Sequence, residues 1–329
     1  MKIRVLGAGW YGCHLGLALK EQGHAVEIHE STTDIFLGAS GSNPARLHEG
    51  FHYPRSRVTR AFCQDHKARF LAKYGKLTRA VPINVYAIAA TESLVDFGTY
   101  LQILGSEVDL IPIYDPAEFG LKNVEGAVLT GERHLVIREA REYFKAALGE
   151  SLRLNTPLKG ALDSSEWDWT IDCTFCALSD LDVDRYEPCV TGILYGPIDR
   201  AVTIMDGPFP SLYPWDEDHN LSSITSAKYT PLARVKTYEE ARSILAKTTL
   251  GEGRHRVEDM INQLAFYWPG VNHYKIATWK QGIRAMPKSA ADARVVDVHR
   301  QGDRWIKIRA GKIDAVFQAQ ALVEEIIKC

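Results

Sequence analysis

The stretch Lys2-Ile-Arg-Val-Leu-Gly-Ala-Gly-Trp-Tyr-Gly12 limits what this chain can fold into more than any other. A short apolar run, Ile3 to Leu6, leads into Gly7-x-Gly9-x-x-Gly12, and Cys13 to Gln22 then carries apolar residues at helical spacing until Gly23. A second apolar run, Ala25 to His29, ends on Glu30. Strand, tight turn, helix and acid-tipped strand are the parts of a dinucleotide-binding βαβ unit. Gly7 serves the turn, Gly9 the close approach of a pyrophosphate, Gly12 the packing of helix on strand and Glu30 a ribose diol. The unpaired N–H groups and positive dipole end of the helix favour the diphosphate, and a side chain at Gly9 would block it. A glycine-rich turn that merely packs is the plain alternative, and the second strand with its acidic tip argues against it. Glu30 would repel a 2′-phosphate, so the ligand is NAD or FAD rather than NADP.

With 329 residues, 46% of them apolar, the chain can bury a large core and is expected to form two domains. A net charge of −2 and the lack of a basic run give no sign of nucleic acid or an anionic membrane as partner. No apolar stretch approaches the length of a membrane span, and Gly7, Gly9 and Gly12 interrupt the one region that could pass for a targeting signal. Cysteines at 13, 63, 173, 176, 189 and 329 include one C-x-x-C, Cys173-Thr-Phe-Cys176. A zinc site would need a second pair of ligands at suitable spacing, so no metal site is expected. Free thiols in a reducing cytoplasm are the simplest account.

Residues 38 to 56 are too rich in Gly and polar residues for a regular element, yet they concentrate Ser40, Asn43, Arg46, His48, His52, Tyr53 and Arg55 among Leu47 and Phe51. A loop of that content usually sits at a site. These residues, with Gly-Ala-Gly-Trp-Tyr-Gly and the acid-tipped second strand, resemble the FAD-dependent oxidoreductases of the D-amino-acid oxidase and sarcosine oxidase type. The resemblance implies FAD as cofactor, with this loop along the flavin and Ser40, Asn43, Arg46 and His48 near its ring or pyrophosphate. It implies that the strand at Trp167 to Phe175 ends beside the dinucleotide at Thr174, although Cys173-Thr174-Phe175 stands where the family has Ala-Thr-Gly. It also implies that the Gly311-Lys312-Ile313 turn points a terminal helix at the flavin pyrimidine.

The rest of the chain alternates between two kinds of text. Arg57 to Tyr74 reads as a helix with Ala61, Phe62, Phe70 and Leu71 on its apolar side, and Val81 to Ala89 reads as a half-buried strand. The expected fold is α/β: a Rossmann-like FAD-binding domain formed by residues 1–79, 125–185 and 275–329, with a second, antiparallel-sheet substrate domain formed by 80–124 and 186–274. A nucleotide fold interrupted in this way favours FAD over NAD.

The cofactor is expected to meet Gly7, Ala8, Gly9, Trp10, Tyr11, Gly12 and Glu30 from the first unit. From the rest of the chain it should meet Ser40, Asn43, Arg46, Thr174, Gly311, Lys312 and Ile313. The expected activity is oxidation of an amine, amino acid or related small anionic substrate by hydride transfer to flavin. Arg46, His48, His52 and Arg284 are the candidate catalytic and substrate-holding residues, because arginine captures a carboxylate best. A flavoenzyme without net redox such as a sugar-nucleotide mutase, an NAD-dependent dehydrogenase and a non-catalytic dinucleotide sensor are the alternatives. Oligomeric state is left open by the sequence.

Overall fold

The computed structural model describes residues 1–156, 166–178, 183–288 and 296–328. Four of the five residues of β1 (Lys2–Leu6) are buried, and its carboxyl end feeds the Gly7 turn into α1 (Trp10–Glu21), which leads to the parallel strand β2 (Ala25–His29). A parallel neighbour is reached only through a crossover, and α1 is that crossover. There follow α2 (Ala39–Ser42), β3 (Arg46–Leu47), α3 (Arg57–Tyr74), β4 (Thr78–Ala80), β5 (Ile83–Ala89), α4 (Phe97–Leu104) and β6 (Leu110–Ile113). The middle of the chain supplies β7 (Val124–Thr130), β8 (Arg133–Leu135), α5 (Ile137–Leu148), β9 (Leu152–Arg153) and β10 (Trp169–Asp172). Then come β11 (Val183–Tyr195), β12 (Arg200–Met205), β13 (Pro210–Asp216), β14 (Leu221–Ser226), α6 (Tyr238–Lys247) and α7 (Leu250–Tyr267). The chain closes with β15 (Lys275–Pro287), β16 (Asp297–Gln301), β17 (Trp305–Arg309) and α8 (Val316–Lys328).

Among the described residues these strands make a six-stranded sheet of order β16-β17-β10-β1-β2-β9 and an eight-stranded sheet of order β15-β11-β14-β13-β12-β5-β7-β6. The first is parallel except at β16, and the second is antiparallel except for the parallel pair β12 and β5. A small third sheet, β3-β8-β4, joins the 46–47 segment to the chain after β7. The α/β architecture with a parallel and an antiparallel sheet is as expected. Two strands belong to the other sheet from the one assigned by position: β7, within 125–185, pairs with β5, and β15, which opens 275–329, runs along β11. Register partners far away in sequence decide sheet membership, and no local pattern carries that information.

Each sheet has its own core. Ile3, Val5, Ile28, Ile171 and Ile306 meet Leu15, Leu19, Val316 and Val323 from α1 and α8, while Val190, Leu194, Val202 and Ile204 meet Val257, Met260 and Leu264 of α7. The buried face of α3 differs in part from the expected one. It carries Thr59, Arg60, Cys63, Phe70 and Tyr74, and Ala61 is exposed. Arg60 can be buried because Glu107 receives its Nε and Nη2 at 2.6 and 3.0 Å, a compensation that a count of apolar residues does not see. Cys173 and Cys176 lie in the turn after β10 and are not disulfide-bonded. Among the described residues no helix is long and apolar enough to cross a membrane, and no group of His, Cys, Asp and Glu could hold a metal ion.

Candidate functional site

Because β1, β2, β10 and β17 are mutually parallel, their carboxyl ends lie along one edge of the six-stranded sheet. The segments leaving those ends, Gly7–Tyr11, His29–Thr32, Cys173–Phe175 and Ala310–Ile313, all border one cavity of about 630 Å³, as the rule for such sheets requires. The opposite wall comes from the eight-stranded sheet and includes Thr203, Ser211, Thr225 and Arg284. Residues 36–53 run between the two walls, with Ser40, Asn43, Arg46, His48 and His52 on the cavity.

At the dinucleotide end, Gly7 has φ +90, and a Cβ there would lie 2.9 Å from the Cys173 carbonyl oxygen. A Cβ on Gly9 would come to 2.9 Å from Ser40 Oγ, and Ser40 Oγ accepts the Trp10 N–H at 3.0 Å. Ser40 therefore sits at the head of α1, beside the place expected for a diphosphate. Glu30 Oε2 accepts the Ala8 N–H at 2.7 Å, and Oε1 accepts the N–H and hydroxyl of Thr32 at 2.9 and 2.8 Å. The carboxylate is thus fixed at the end of β2 while bordering the cavity. These residues fit the adenosine dinucleotide the sequence calls for. Ala8 and Gly12 stand behind the wall instead of on it. Ala8 is fully buried, and a Cβ on Gly12 would fall 1.8 Å from the Gly7 carbonyl oxygen, so Gly12 lets α1 pack closely on the turn before it. The indole of Trp10 stacks on Phe36 at 5.3 Å, within a cluster that includes Phe70, Tyr74 and Phe144.

The turn before α8 is tied to α1. Tyr11 Oη donates to the Lys312 carbonyl at 2.6 Å and accepts the Gly311 N–H at 3.0 Å, and burial pushes its phenol well above the ordinary range. Lys312 is only 9% exposed, so it is no solvated lysine. Its Nζ bonds Tyr53 Oη and lies 3.8 Å from the Tyr53 ring centre. Asp314, fully buried behind it, is pushed up by burial to about 6.

The far end is built around Arg46, 6% exposed. Its Nη1 donates to Tyr86 Oη and its Nη2 to Ser211 Oγ, both at 3.1 Å, while its guanidinium carbon lies 4.2 Å from the Tyr213 ring centre. Tyr86 in turn donates to Glu132 Oε2, and Glu132, fully buried, also accepts the Glu49 N–H at 2.7 Å and faces His48 Nδ1 at 3.6 Å. Burial works against the charge on Arg46, but Tyr86, Tyr213 and Glu132 more than offset it. Burial, followed by the nearby Arg46, His48 and Lys312, holds His52 well below the ordinary imidazole range, so it is neutral at pH 7.

Arg284 borders the cavity with its side chain 40% exposed, and its Nη2 lies 2.7 Å from Glu187 Oε2. Glu49, within the 46–55 loop, pairs with Lys67 at 2.6 Å instead of with an arginine of the cavity. Sequence reading missed Tyr86, Glu132, Glu187, Thr203 and Ser211. The available signal was polar residues at alternate positions, Asn84 and Tyr86 on β5 and Ser211 and Tyr213 on β13, which places each pair on one face of its strand.

No protein-family model matches the chain. It is 33% identical over 337 residues to the FAD-dependent monooxygenase FPY4 of Fusarium mangiferae, covering 98% of this chain and 90% of the relative. It is 26% identical over 368 residues to the FAD-dependent monooxygenase kojA of Aspergillus flavus, covering 99% and 85%. In fold it is similar to glycine oxidase from Geobacillus kaustophilus, with a TM-score of 0.72 and 14% identity over 99% of this chain and 94% of the other. The L-amino acid deaminase from Proteus myxofaciens superposes with a TM-score of 0.70 and 9% identity, covering 99% and 90%.

Proposed function

The chain belongs to the FAD-dependent monooxygenase family, and on that premise we propose that it oxidises a small anionic substrate, an amine or amino acid, in the cavity between its two sheets. Family membership makes it an FAD-dependent oxidoreductase and sets aside the NAD-dependent, mutase and sensor alternatives. The observation that carries the reading is one cavity lined both by Glu30 and the Gly7–Gly9 turn and by Arg46, His52 and Arg284. FAD supplies a hydride acceptor whose electrons then pass to dioxygen or another acceptor.

The chain's own residues have separable parts in this reading. Arg284 and Arg46 both border the cavity, and a guanidinium matches a carboxylate with paired N–H groups, so an arginine is the residue to hold the substrate anion. His52 is neutral and its Nδ1 has no hydrogen-bond partner among the described residues, so it can accept a hydrogen bond from an amine of the substrate. Lys312 joins a buried positive charge to the head of α8, an arrangement that stabilises an anion beside it.

Where Arg284 is the arginine that holds the anion, Arg284→Met raises KM for a carboxylate substrate by about tenfold or more while FAD content stays intact. Equal loss toward charged and uncharged substrates, or loss of FAD, would assign the arginine to the cofactor or the fold. The relatives' name favours a second reading, insertion of oxygen into the same kind of substrate. Turnover under isotopically labelled dioxygen separates the two. Label in the product decides for insertion, and hydrogen peroxide formed one for one with unlabelled product decides for dehydrogenation.

A further inference from the structure

Arg46 Nε, Thr203 Oγ1 and His52 Nδ1 are buried, belong to residues on the same cavity and have no hydrogen-bond partner among the described residues. Roughly nine in ten buried polar groups in folded proteins are partnered, so orphans gathered around one cavity, with Arg284 Nε and Arg309 Nε also among them, mark a place where a ligand supplies missing partners. Two of them are set by the register of the sheet. Tyr86 of β5, Thr203 of β12 and Ser211 of β13 are cross-strand neighbours in one row, with Thr203 in the middle. Arg46 bonds Tyr86 Oη and Ser211 Oγ, so its guanidinium bridges the two residues that flank Thr203. Those bonds and the Tyr213 ring fix the guanidinium plane and leave Nε–H to be satisfied.

We propose that Arg46 Nε and Thr203 Oγ1 form a carboxylate subsite, both donating to one carboxylate of the substrate, with His52 Nδ1 meeting the amine carried beside it. This rests on the reading of the cavity as the place of substrate oxidation, and of the two arginines it assigns the anion to Arg46. Arg284 is in direct contact with Glu187 at 2.7 Å, whereas Arg46 reaches Glu132 only through the Tyr86 hydroxyl and so keeps more of its charge for a ligand. With Glu132 close behind, the subsite suits a single negative charge, which selects a carboxylate over a doubly charged phosphate.

The holoenzyme is titrated with benzoate and with its uncharged isostere benzamide, following the flavin absorption band. Thr203→Val keeps the shape and removes an unpartnered buried hydroxyl. It is expected to keep its thermal stability and to raise the Kd of benzoate about tenfold, with benzamide changed by less than about twofold. Arg46→Lys keeps the charge that faces Glu132 but loses the Nε–H edge, and is expected to raise the benzoate Kd by at least about tenfold. Unchanged benzoate binding in both variants, with the preference for benzoate lost in Arg284→Met, overturns the subsite and leaves the anionic reading standing. No preference for benzoate over benzamide in the unaltered enzyme overturns that reading and the subsite with it. Loss of FAD from either variant assigns these groups to the cofactor and also overturns the subsite.

Discussion

At the end of the cavity expected to take the dinucleotide the lining comes first from one βαβ unit, Gly7 to Glu30, whereas the far end is assembled from Arg46, His52, Tyr86, Thr203 and Ser211. The near end is held mainly by backbone: the Gly7 turn, the Ala8 N–H on Glu30 and the head of α1. The far end is held by side chains, and its arginine, Arg46, is buried with Glu132 behind it, reached through the Tyr86 hydroxyl. Backbone geometry tolerates almost no added atoms, while a side-chain network tolerates isosteric change and responds to change of charge.

That contrast sets the expected sizes of four substitutions, all at or behind the dinucleotide end. Gly12→Ala should be the most damaging, because its Cβ would lie 1.8 Å from a backbone oxygen that cannot move aside. A loss of about 3 kcal/mol or more in urea unfolding is expected. An unchanged midpoint would show that the turn is softer than the geometry states.

Asp314 comes next. Its carboxyl is fully buried and titrates at about 6 in the fold, against an ordinary value near 4. The folded value is raised, so the stability tied to the bound proton is fully present below about pH 4 and is lost as the pH rises through about 6, roughly 3 kcal/mol in all. Asp314→Asn should remove most of that slope and be the more stable protein at pH 8. Parallel pH–stability curves for the two proteins would contradict this.

Glu30→Ala should weaken FAD binding by about 1.5–3 kcal/mol, the range for hydrogen bonds to a charged group. The same change strips the Ala8 N–H of its acceptor, so the apoprotein should lose stability as well. Intact FAD affinity with a weakened apoprotein would limit Glu30 to the turn. The smallest effect is expected at Lys312→Met, a reduction potential lower by about 30 mV, equivalent to about 1.4 kcal/mol. An unaltered potential would mean that Lys312 serves Tyr53 and the fold alone.

Polar residues recur at alternate positions on β5 and β13, and that pattern was readable; whether such a face meets water or a cavity was not. Arg284 could be singled out as a cavity arginine, but Glu187 could not be named as its partner, since the two meet by register between β11 and β15. The apolar side assigned to α3 was right for Phe62, Phe70 and Leu71 but not for Ala61, and it omitted Arg60, which is buried together with a carboxylate 47 positions away.

By itself the sequence determined the first βαβ unit, its glycine turn, the acid at its second strand end and the return of a terminal helix. Each of these depends on φ/ψ limits, apolar period and spacing within a short stretch of chain. Tertiary structure alone decided that β7 and β15 join the eight-stranded sheet, that Lys312 is buried against Tyr53, and that Arg46 spans Thr203 between Tyr86 and Ser211. The physical reason is that strand register and the compensation of buried charge are settled between residues far apart in the chain, where local propensity has no say.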